Sequence, residues 1–332
     1  MKSFIRILII VSIFSISYIM GPKPSNPDYN ASLPAVPQSI SQIEEYITQR
    51  EGQHKIKPGN AARVIWANDS IKNKTEYSIV YLHGFSASQE DGNPVHADIA
   101  RKFGCNLYLA RLAEHGIDTS EQLLNLTATK YWESAKEAYA IGKILGKHVI
   151  LMGTSTGGSN ALHLASVYPD IYGLILFSPN IAINHPLAWT ANKPWGKDAY
   201  RIFSGSKYIT PADTTADYVK YWNKPYRLEA VAELQEYLET TMTSYNFEKI
   251  TQPTLMMYYY KNEVSKDSVV KIEAMQKMFD ELNSSPSEKK SIALPKVGTH
   301  ALACGLKSKD INGVEETVTT FFTNTLKLQP VQ

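Results

Sequence analysis

Gly153-Thr154-Ser155-Thr156-Gly157 is a Gly-x-Ser-x-Gly motif that lies between two apolar stretches of different character. Residues 147–152 (KHVILM) have the length and composition of a strand, and residues 158–168 (GSNALHLASVY) carry apolar side chains at helical spacing. A serine at such a strand-to-helix turn has strained backbone angles, and the flanking glycines let strand and helix approach closely. The motif therefore predicts a nucleophile elbow that exposes Ser155 at the end of a strand.

A second predicted strand, residues 77–82 (YSIVYL), is followed directly by His83-Gly84-Phe85-Ser86. An elbow serine needs two backbone N–H donors for the oxyanion that forms during its reaction. One donor comes from the residue after the serine, and the other from a loop earlier in the chain. The sequence therefore predicts the N–H groups of Thr156 and Phe85 as the oxyanion hole.

A serine hydroxyl is a poor nucleophile at neutral pH and needs an imidazole to accept its proton. The chain has eight histidines. His300 alone follows both a last predicted strand, residues 289–294 (KKSIAL), and a set of acidic residues. We therefore predict His300 as the general base.

The acid that would orient His300 has more than one candidate. Three polar residues follow the predicted strand 253–260: Asn262, Glu263 and Asp267. Asparagine cannot supply the charge that stabilises an imidazolium. Asp267 begins an Asp-x-Val-Val-x-x-x-Ala pattern and is the predicted acid, although its position also suits a helix N-cap. Glu263 is the alternative.

The order of these motifs along the chain resembles that of the α/β-hydrolase superfamily. The resemblance rests on LHGFSAS (82–88), ARLAEHG (110–116), GTSTGG (153–158), DSVV (267–270) and GTH (298–300). Within the superfamily, the chain is similar to carboxylesterases and monoacylglycerol-lipase-like serine hydrolases, from about Arg63 to Leu326. Glu114 stands where those enzymes usually have the first glycine of a Gly-His-Gly loop. The resemblance implies an α/β-hydrolase fold with an eight-stranded, mostly parallel sheet, helices on both faces and an inserted cap.

The resemblance also implies a function. A serine hydrolase of this kind would cleave carboxylic esters, of short acyl or monoacylglycerol type, through an acyl-enzyme on Ser155. A serine at the elbow argues against the dehalogenase and epoxide-hydrolase branches, which use aspartate there. Because fold does not fix substrate, a thioesterase or peptidase remains an alternative, as does a non-catalytic exported ligand-binding protein.

The predicted hydrolase domain covers residues 61–328, with the cap at about 181–252. The cap is rich in aromatic side chains: Trp189, Trp195, Tyr200, Tyr208, Tyr218, Tyr221, Trp222, Tyr226, Tyr237 and Tyr245. Some of them can line an acyl pocket, but we expect most to form the core of the cap.

Composition excludes several other classes of protein. The chain has 332 residues, 43% of them apolar, which suits one sizeable core. Its 34 basic and 32 acidic residues give a net charge of +2 and no reason to expect a nucleic-acid partner. Neither Cys-x-x-Cys nor His-Glu-x-x-His occurs, so no metal or cofactor is expected. Cys105 and Cys304 fall at opposite edges of the predicted sheet, ~15 Å apart, and are predicted to be unpaired.

The N-terminus has the pattern of a targeting segment. Lys2 and Arg6 precede or flank an apolar run over residues 7–20 (ILIIVSIFSISYIM). We predict that residues 1–20 are a signal peptide or an N-terminal membrane anchor, followed by a proline-rich linker and a helix over 21–60. A buried first helix is the alternative. The prediction is therefore an exported protein, periplasmic or extracellular, with membrane association if residues 7–20 remain attached.

Overall fold

A computed structural model describes residues 2–331 of the chain. Its strands are β1 (Arg63–Ile65), β2 (Thr75–Leu82), β3 (Asn106–Leu109), β4 (Gly146–Thr154), β5 (Gly173–Phe177), β6 (Tyr208–Ile209), β7 (Tyr226–Arg227), β8 (Thr254–Tyr258), β9 (Tyr260–Asn262), β10 (Ser265–Lys266) and β11 (Lys289–Ala293). Its α-helices are α1 (Lys2–Ile19), α2 (Ile43–Glu51), α3 (Val95–Lys102), α4 (Ala128–Leu145), α5 (Thr156–Val167), α6 (Gly196–Ser204), α7 (Ala216–Tyr221), α8 (Leu228–Thr241), α9 (Ser244–Phe247), α10 (Ile272–Asp280) and α11 (Ile311–Asn324). Short 3-10 helices cover Ile40–Gln42, Gln89–Gly92 and Ala188–Thr190.

The central sheet has seven strands in the order β1-β3-β2-β4-β5-β8-β11. β1 pairs antiparallel with β3, and the other neighbours pair in parallel. The carboxyl ends of the parallel strands therefore meet at one edge, which we call the catalytic edge because Ser155 and His300 follow strands there. The predicted α/β-hydrolase fold is confirmed, but the sheet has seven strands rather than the eight that we expected.

The missing strand is explained by the chain before β1. Residues 21–37 contain several prolines, which lack the N–H that a sheet needs, and residues 43–51 form the helix α2. Only the three residues of β1 precede β2 in the sheet. The sheet therefore begins with one short antiparallel edge strand.

Both faces of the sheet are buried, as the continuous apolar runs predict. In β2, Val80 and Leu82 pack on the face covered by α4 and α5, whereas Ile79 and Tyr81 pack on the face covered by α3 and α11. The strands predicted at 77–82, 147–152 and 289–294 are confirmed by β2, β4 and β11, and the helix predicted after the elbow is α5. The two cysteines are unpaired, as predicted, and both are buried.

The segment between β5 and β8 carries helices α6 to α9 and packs over the catalytic edge. Its helix α8 packs against α4, and Tyr237 on α8 donates a hydrogen bond to Asn160 Oδ1 at 2.8 Å. Helices α6 and α7 contain no buried residue. Among the ten aromatic residues named above, only Trp222 and Tyr237 are buried. Four of the others are half-buried and four are exposed, so fewer of these aromatic side chains are fully buried in the cap than we expected.

The N-terminal helix α1 stands apart from this core. Every side chain that the structure describes from Phe4 to Met20 is exposed. Within residues 2–331, no helix combines the length and the apolar character that crossing a lipid bilayer requires.

Candidate active site

The elbow holds Ser155 in a strained conformation. Ser155 is the N-cap of α5, with φ 53° and ψ −120°. Positive φ is costly for a residue with a Cβ and persists only where neighbours hold it. Here the Ser155 N–H donates to Phe177 O at 2.8 Å, and Ser155 O accepts from the N–H groups of Gly158 at 2.9 Å and Asn180 at 3.0 Å. These bonds fix the backbone of Ser155 at the catalytic edge.

The glycines of the elbow are required by close approach. A Cβ on Gly157 would lie 1.9 Å from Leu82 O, and a Cβ on Gly153 would lie 2.6 Å from the backbone of Gly157. No side chain fits at such distances. The two glycines therefore allow β4, α5 and the end of β2 to meet beneath Ser155.

His300 and Asp267 are brought together by the loops after β11 and β10. His300 Nδ1 lies 2.6 Å from Asp267 Oδ2. The Asp267 side chain is fully buried, and its Oδ1 accepts from Val269 N–H at 2.9 Å and Val270 N–H at 3.3 Å. Burial alone would raise the pKa of Asp267, but His300 and the two backbone donors hold that pKa below its ordinary value. Within residues 2–331, His300 Nε2 is buried without a hydrogen-bond partner.

Glu263, the alternative acid, lies elsewhere. Residues 260–266 form a hairpin of β9 and β10, and the Glu263 side chain is 76% exposed at its turn. Its two oxygens accept from Tyr260 OH and Lys266 Nζ, each at 2.7 Å. The structure therefore brings Asp267, and not Glu263, to His300. Asp267 closes a turn ahead of α10 rather than capping that helix, whose N-cap is Lys271.

The loop after β2 leaves one N–H group free between two that are occupied. Gly84 N–H donates to Asp91 Oδ2 at 2.8 Å, and Ser86 N–H donates to His115 Nε2 at 3.0 Å. Between them, Phe85 N–H has no acceptor within residues 2–331, and the same holds for Thr156 N–H. An oxyanion hole needs two such unengaged donors.

Two buried histidines hold this loop against residues 111–116. His83 Nε2 accepts from Leu112 N–H at 3.0 Å, and His83 Nδ1 donates to Gly84 O at 2.9 Å. His115 Nδ1 donates to Ala113 O at 2.8 Å. Burial lowers the pKa of His83 to about 4 and the pKa of His115 well below its ordinary value, so both rings are neutral near pH 7. Both histidines therefore position the loop and have no free nitrogen for proton transfer.

Glu114 explains how the chain departs from the Gly-His-Gly pattern. Its φ is 65°, in the left-handed region that glycine favours. Its carboxylate pairs with Lys130 Nζ at 2.8 Å. The loop therefore keeps the turn that a glycine would make, with a glutamate in its place.

Sequence reasoning missed Asp91. This carboxyl group is buried beside the loop, where Oδ1 accepts from Tyr81 OH at 2.6 Å and Oδ2 accepts from Gly84 N–H. Burial raises its pKa from 3.8 to about 7, against the effect of those two donors. Nothing in the local sequence separates Asp91 from a surface acid, because its partners come from β2 and the loop after it.

The site opens into a cavity of about 400 Å³ whose lining includes Ser155, His300 and Phe85. A second cavity of about 760 Å³ lies beneath the cap and is lined mainly by apolar side chains. Both cavities share Ile183 and Tyr226 as wall residues, together with Val231. The two cavities are therefore adjacent at these three side chains. Within residues 2–331, no group of three His, Cys, Asp or Glu side chains could hold a metal ion.

Comparison with known proteins agrees with this geometry. An α/β-hydrolase sheet with a serine elbow defines the class of protein as an α/β-hydrolase. The family described as serine aminopeptidase, S33, matches residues 129–303, just over half of the chain. The chain belongs to this family of α/β-hydrolases. No curated protein matches the sequence closely enough to extend the comparison.

Solved structures share the fold at low sequence identity. A chain from the metagenome-derived lipolytic enzymes LipS and LipT has 17% identity and a TM-score of 0.64, and covers 80% of this chain and 98% of its own. Est1E from Butyrivibrio proteoclasticus has 16% identity and a TM-score of 0.57, with 82% and 98% covered. The monoacylglycerol lipase of Paleococcus ferrophilus has 13% identity and a TM-score of 0.55, with 78% and 96% covered. At these identities the likeness establishes the fold.

Proposed function

We propose that this protein is a serine hydrolase that cleaves carboxylic esters by acyl transfer. Ser155 Oγ attacks the acyl carbon, His300 Nε2 accepts the hydroxyl proton, and the N–H groups of Phe85 and Thr156 bind the oxyanion. Asp267 holds His300 in the required tautomer and stabilises the imidazolium. His300 then returns the proton to the leaving alcohol, and water releases the acyl group by the same route.

One observation carries this proposal. His300 has one ring nitrogen on the buried carboxylate of Asp267, while its other nitrogen is buried without a partner beside the Ser155 cavity. An unpartnered nitrogen alone does not distinguish His300, because buried His96 also has one among the described residues, at Nδ1; the other nitrogen of His96, however, contacts Gln89 O and not a carboxylate. The carboxylate partner and the free nitrogen together support a proton-transfer role for His300.

The cavity walls favour an apolar acyl group. Ile183, Tyr226 and Val231 line both the catalytic cavity and the larger cavity beneath the cap. The larger volume, about 760 Å³, exceeds what a short acyl group fills. We therefore propose an ester with a long acyl chain, of the monoacylglycerol type, rather than an acetyl ester.

The description of the family as aminopeptidases makes peptides the competing substrate. An aminopeptidase must bind an α-ammonium group, which requires a free carboxylate near the serine. Among the described residues lining the catalytic cavity, Asp91 is the one carboxylate, and both of its oxygens already accept hydrogen bonds. This lining favours an ester over a peptide.

A chain-length series of chromogenic esters, from acetyl to palmitoyl, tests the proposal against aminoacyl anilides. We expect kcat/KM to rise toward the longer acyl groups, with no hydrolysis of the anilides and none of any substrate by Ser155→Ala. Faster hydrolysis of aminoacyl anilides would support a peptidase instead. Binding of esters without turnover would support a ligand-binding protein.

We also propose that the protein is exported, because a basic start precedes the apolar run of residues 7–20. Expression in a bacterial host followed by fractionation checks this. We expect the protein in the periplasm, the medium or the membrane fraction. Full-length protein in the cytosol, soluble without detergent, would contradict export.

A further inference from the structure

The loop after β2, residues 83–88, is held from two sides, and we call it the oxyanion loop. On the side of the core, Asp91 and His115 accept hydrogen bonds from its backbone. On the other side, loop residues 85–87 lie against residues 222–226, which we call the inner cap segment. This segment follows α7 and ends where β7 begins. The cap therefore contacts the loop that carries one of the two predicted oxyanion donors.

The contacts from the cap fall on the two residues that matter most for this donor. Ser86 O accepts from Asn223 N–H at 2.6 Å. The Phe85 ring packs edge-on against the Tyr226 ring, with the two centroids 5.3 Å apart. Ser86 has a positive φ of 62°, which is costly for a residue with a Cβ and persists only where neighbours hold it. His115 holds its N–H and the cap holds its carbonyl, so both ends of this strained residue are fixed.

Asn223 is itself anchored to the core through its side chain. The residue is 1% exposed. Its Oδ1 accepts from Gly116 N–H at 3.3 Å, and its Nδ2 donates to Gln122 Oε1 at 2.8 Å. Both partners lie between β3 and α4, outside the cap. The side chain of Asn223 therefore ties the cap to the core at the point where its backbone N–H reaches the oxyanion loop.

Two further core residues hold the chain just before Asn223. Lys57 Nζ donates to Trp222 O at 2.7 Å, and Asn60 Nδ2 donates to Lys220 O at 3.0 Å. The Trp222 side chain is buried in one apolar cluster with Ala87 of the oxyanion loop. The inner cap segment is thus fixed to the core along its length, although α6 and α7 contain no buried residue.

We propose that Asn223 is a positioning residue for the oxyanion hole. Its side chain fixes the inner cap segment to the core, and its N–H fixes Ser86, so that the N–H of Phe85 stays aimed at the oxyanion. The cap then contributes to the rate of reaction on every ester, in addition to covering the site. This role rests on the ester hydrolysis proposed above, because the oxyanion forms in that reaction.

Asn223→Ala removes both side-chain hydrogen bonds and tests the proposal. We expect kcat on a short water-soluble ester to fall by about 10- to 100-fold with little change in KM, because the displaced donor is used only in the transition state. When Ser155 adds to a trifluoromethyl ketone, its proton passes to His300 and the ketone oxygen becomes an oxyanion. The affinity for this inhibitor should fall by the same factor as kcat/KM, whereas an unreactive ether of the same shape should bind as before.

The matched control is Asn192→Ala. Asn192 is a cap asparagine that is 4% exposed, and its Nδ2 donates to Glu236 at 2.8 Å and to Glu239 at 2.9 Å. Both of these partners are on α8, within the cap. The control therefore loses a buried asparagine of the cap without touching the oxyanion loop, and we expect its kcat to stay that of wild type.

A second variant, Gln122→Leu, removes the anchor from the side of the core and leaves Asn223 in place. We expect a smaller fall in kcat in the same direction, since Gly116 still holds Asn223. If Asn223→Ala does not fold, Gln122→Leu takes its place in every comparison. Hydrogen exchange measured by mass spectrometry reads the loop without any substrate. Peptides covering residues 83–88 should exchange faster in both variants than in wild type or Asn192→Ala.

Two results would overturn the proposal. In one, kcat and inhibitor affinity are the same for Asn223→Ala and Asn192→Ala. In the other, KM rises while kcat is unchanged, which would mean that Asn223 shapes substrate binding instead. A wild type inactive on every ester would reject the proposed function, and the exchange result would still decide whether Asn223 holds the oxyanion loop.

Discussion

The catalytic edge and the cap differ in how their side chains are buried and paired. At the catalytic edge, the buried polar residues Asp91, His83 and His115 hydrogen-bond to defined partners in neighbouring loops. In the cap, Arg201 of α6 pairs with Asp198 and Glu229, while Ile202 and Phe203 are exposed. The edge thus fixes the positions of a few atoms, whereas the cap leaves several large apolar side chains exposed.

Mutations in the two regions should therefore have different consequences. Substitutions at the edge should change the rate of reaction on every substrate, because they disturb groups that contact the reacting atoms. Substitutions of exposed residues on the outer side of the cap should leave the reacting groups in place and change the rate on a soluble ester little. The following predictions test that division, in order of decreasing effect.

Ser155→Ala removes the nucleophile and gives the largest expected effect. We expect kcat for ester hydrolysis to fall by about 10⁶-fold, with the thermal unfolding of the protein nearly unchanged. Steady-state kinetics and circular dichroism measure the two quantities. Residual activity within a hundredfold of wild type would mean that Ser155 is not the nucleophile.

Asp267→Asn should lower kcat by about 10⁴-fold, because asparagine favours the wrong tautomer of His300 and leaves its charge unbalanced. Glu263→Gln is the matched control on the same stretch of chain, and we expect it to cost less than about tenfold because its side chain is exposed. Steady-state kinetics of the two variants on one ester decide which of the two carboxylates is the catalytic acid. A larger loss for Glu263→Gln than for Asp267→Asn would contradict the assignment of the acid.

Asp91→Asn should lower kcat/KM by up to about 10²-fold, because the amide cannot accept from both Tyr81 OH and Gly84 N–H, and the loop that carries Phe85 shifts. KM for a short ester should change less than kcat. An unchanged kcat would show that Asp91 does not position this loop.

The same variant gives a pH-dependent prediction for stability. Because the pKa of Asp91 in the folded protein is about 7, above the ordinary 3.8, the protonated carboxyl stabilises the fold at low pH. That contribution is fully present below about pH 4 and is lost as the pH rises through about 7. We therefore expect the unfolding free energy of wild type, relative to that of Asp91→Asn, to fall between pH 4 and pH 7 in denaturant titrations. A difference independent of pH would contradict the raised pKa.

Tyr237→Phe should have the smallest effect. It removes the hydrogen bond from α8 to Asn160 on α5 and should lower the unfolding free energy by about 1–2 kcal/mol, since Asn160 is left buried without that donor. Tyr245→Phe is the control, because Tyr245 is 71% exposed. Equal stability of the two variants would mean that this bond does not stabilise the packing of α8 against α5.

The sequence alone was sufficient to predict the site where the same few residues determine both the local structure and the proposed function. The elbow needs Gly153 and Gly157 for close approach and a serine between them, so strand, turn and helix could be predicted together. His300 followed from its place after the last strand. In both cases the pattern lies within one short stretch of chain.

The sequence alone was insufficient to predict residues whose contacts come from distant parts of the chain. Asp91 gains its role from Tyr81 and Gly84, and nothing in its own neighbourhood indicates burial. The eighth strand was expected from the resemblance, but the chain before β1 forms the helix α2 and adds no strand to the sheet. The exposure of Trp189 and Trp195 could not be predicted either, because aromatic content alone does not show which side chains are buried.

The central claim is that Ser155 is activated by His300 and Asp267. Labelling with a fluorophosphonate probe, followed by mass spectrometry of the digested protein, tests it most directly. We predict that wild type is labelled at Ser155 alone, that Glu263→Gln is labelled at a similar rate, and that Asp267→Asn and His300→Ala are labelled far more slowly. Absence of label at Ser155 in folded wild type, or equal labelling of wild type and His300→Ala, would contradict the claim.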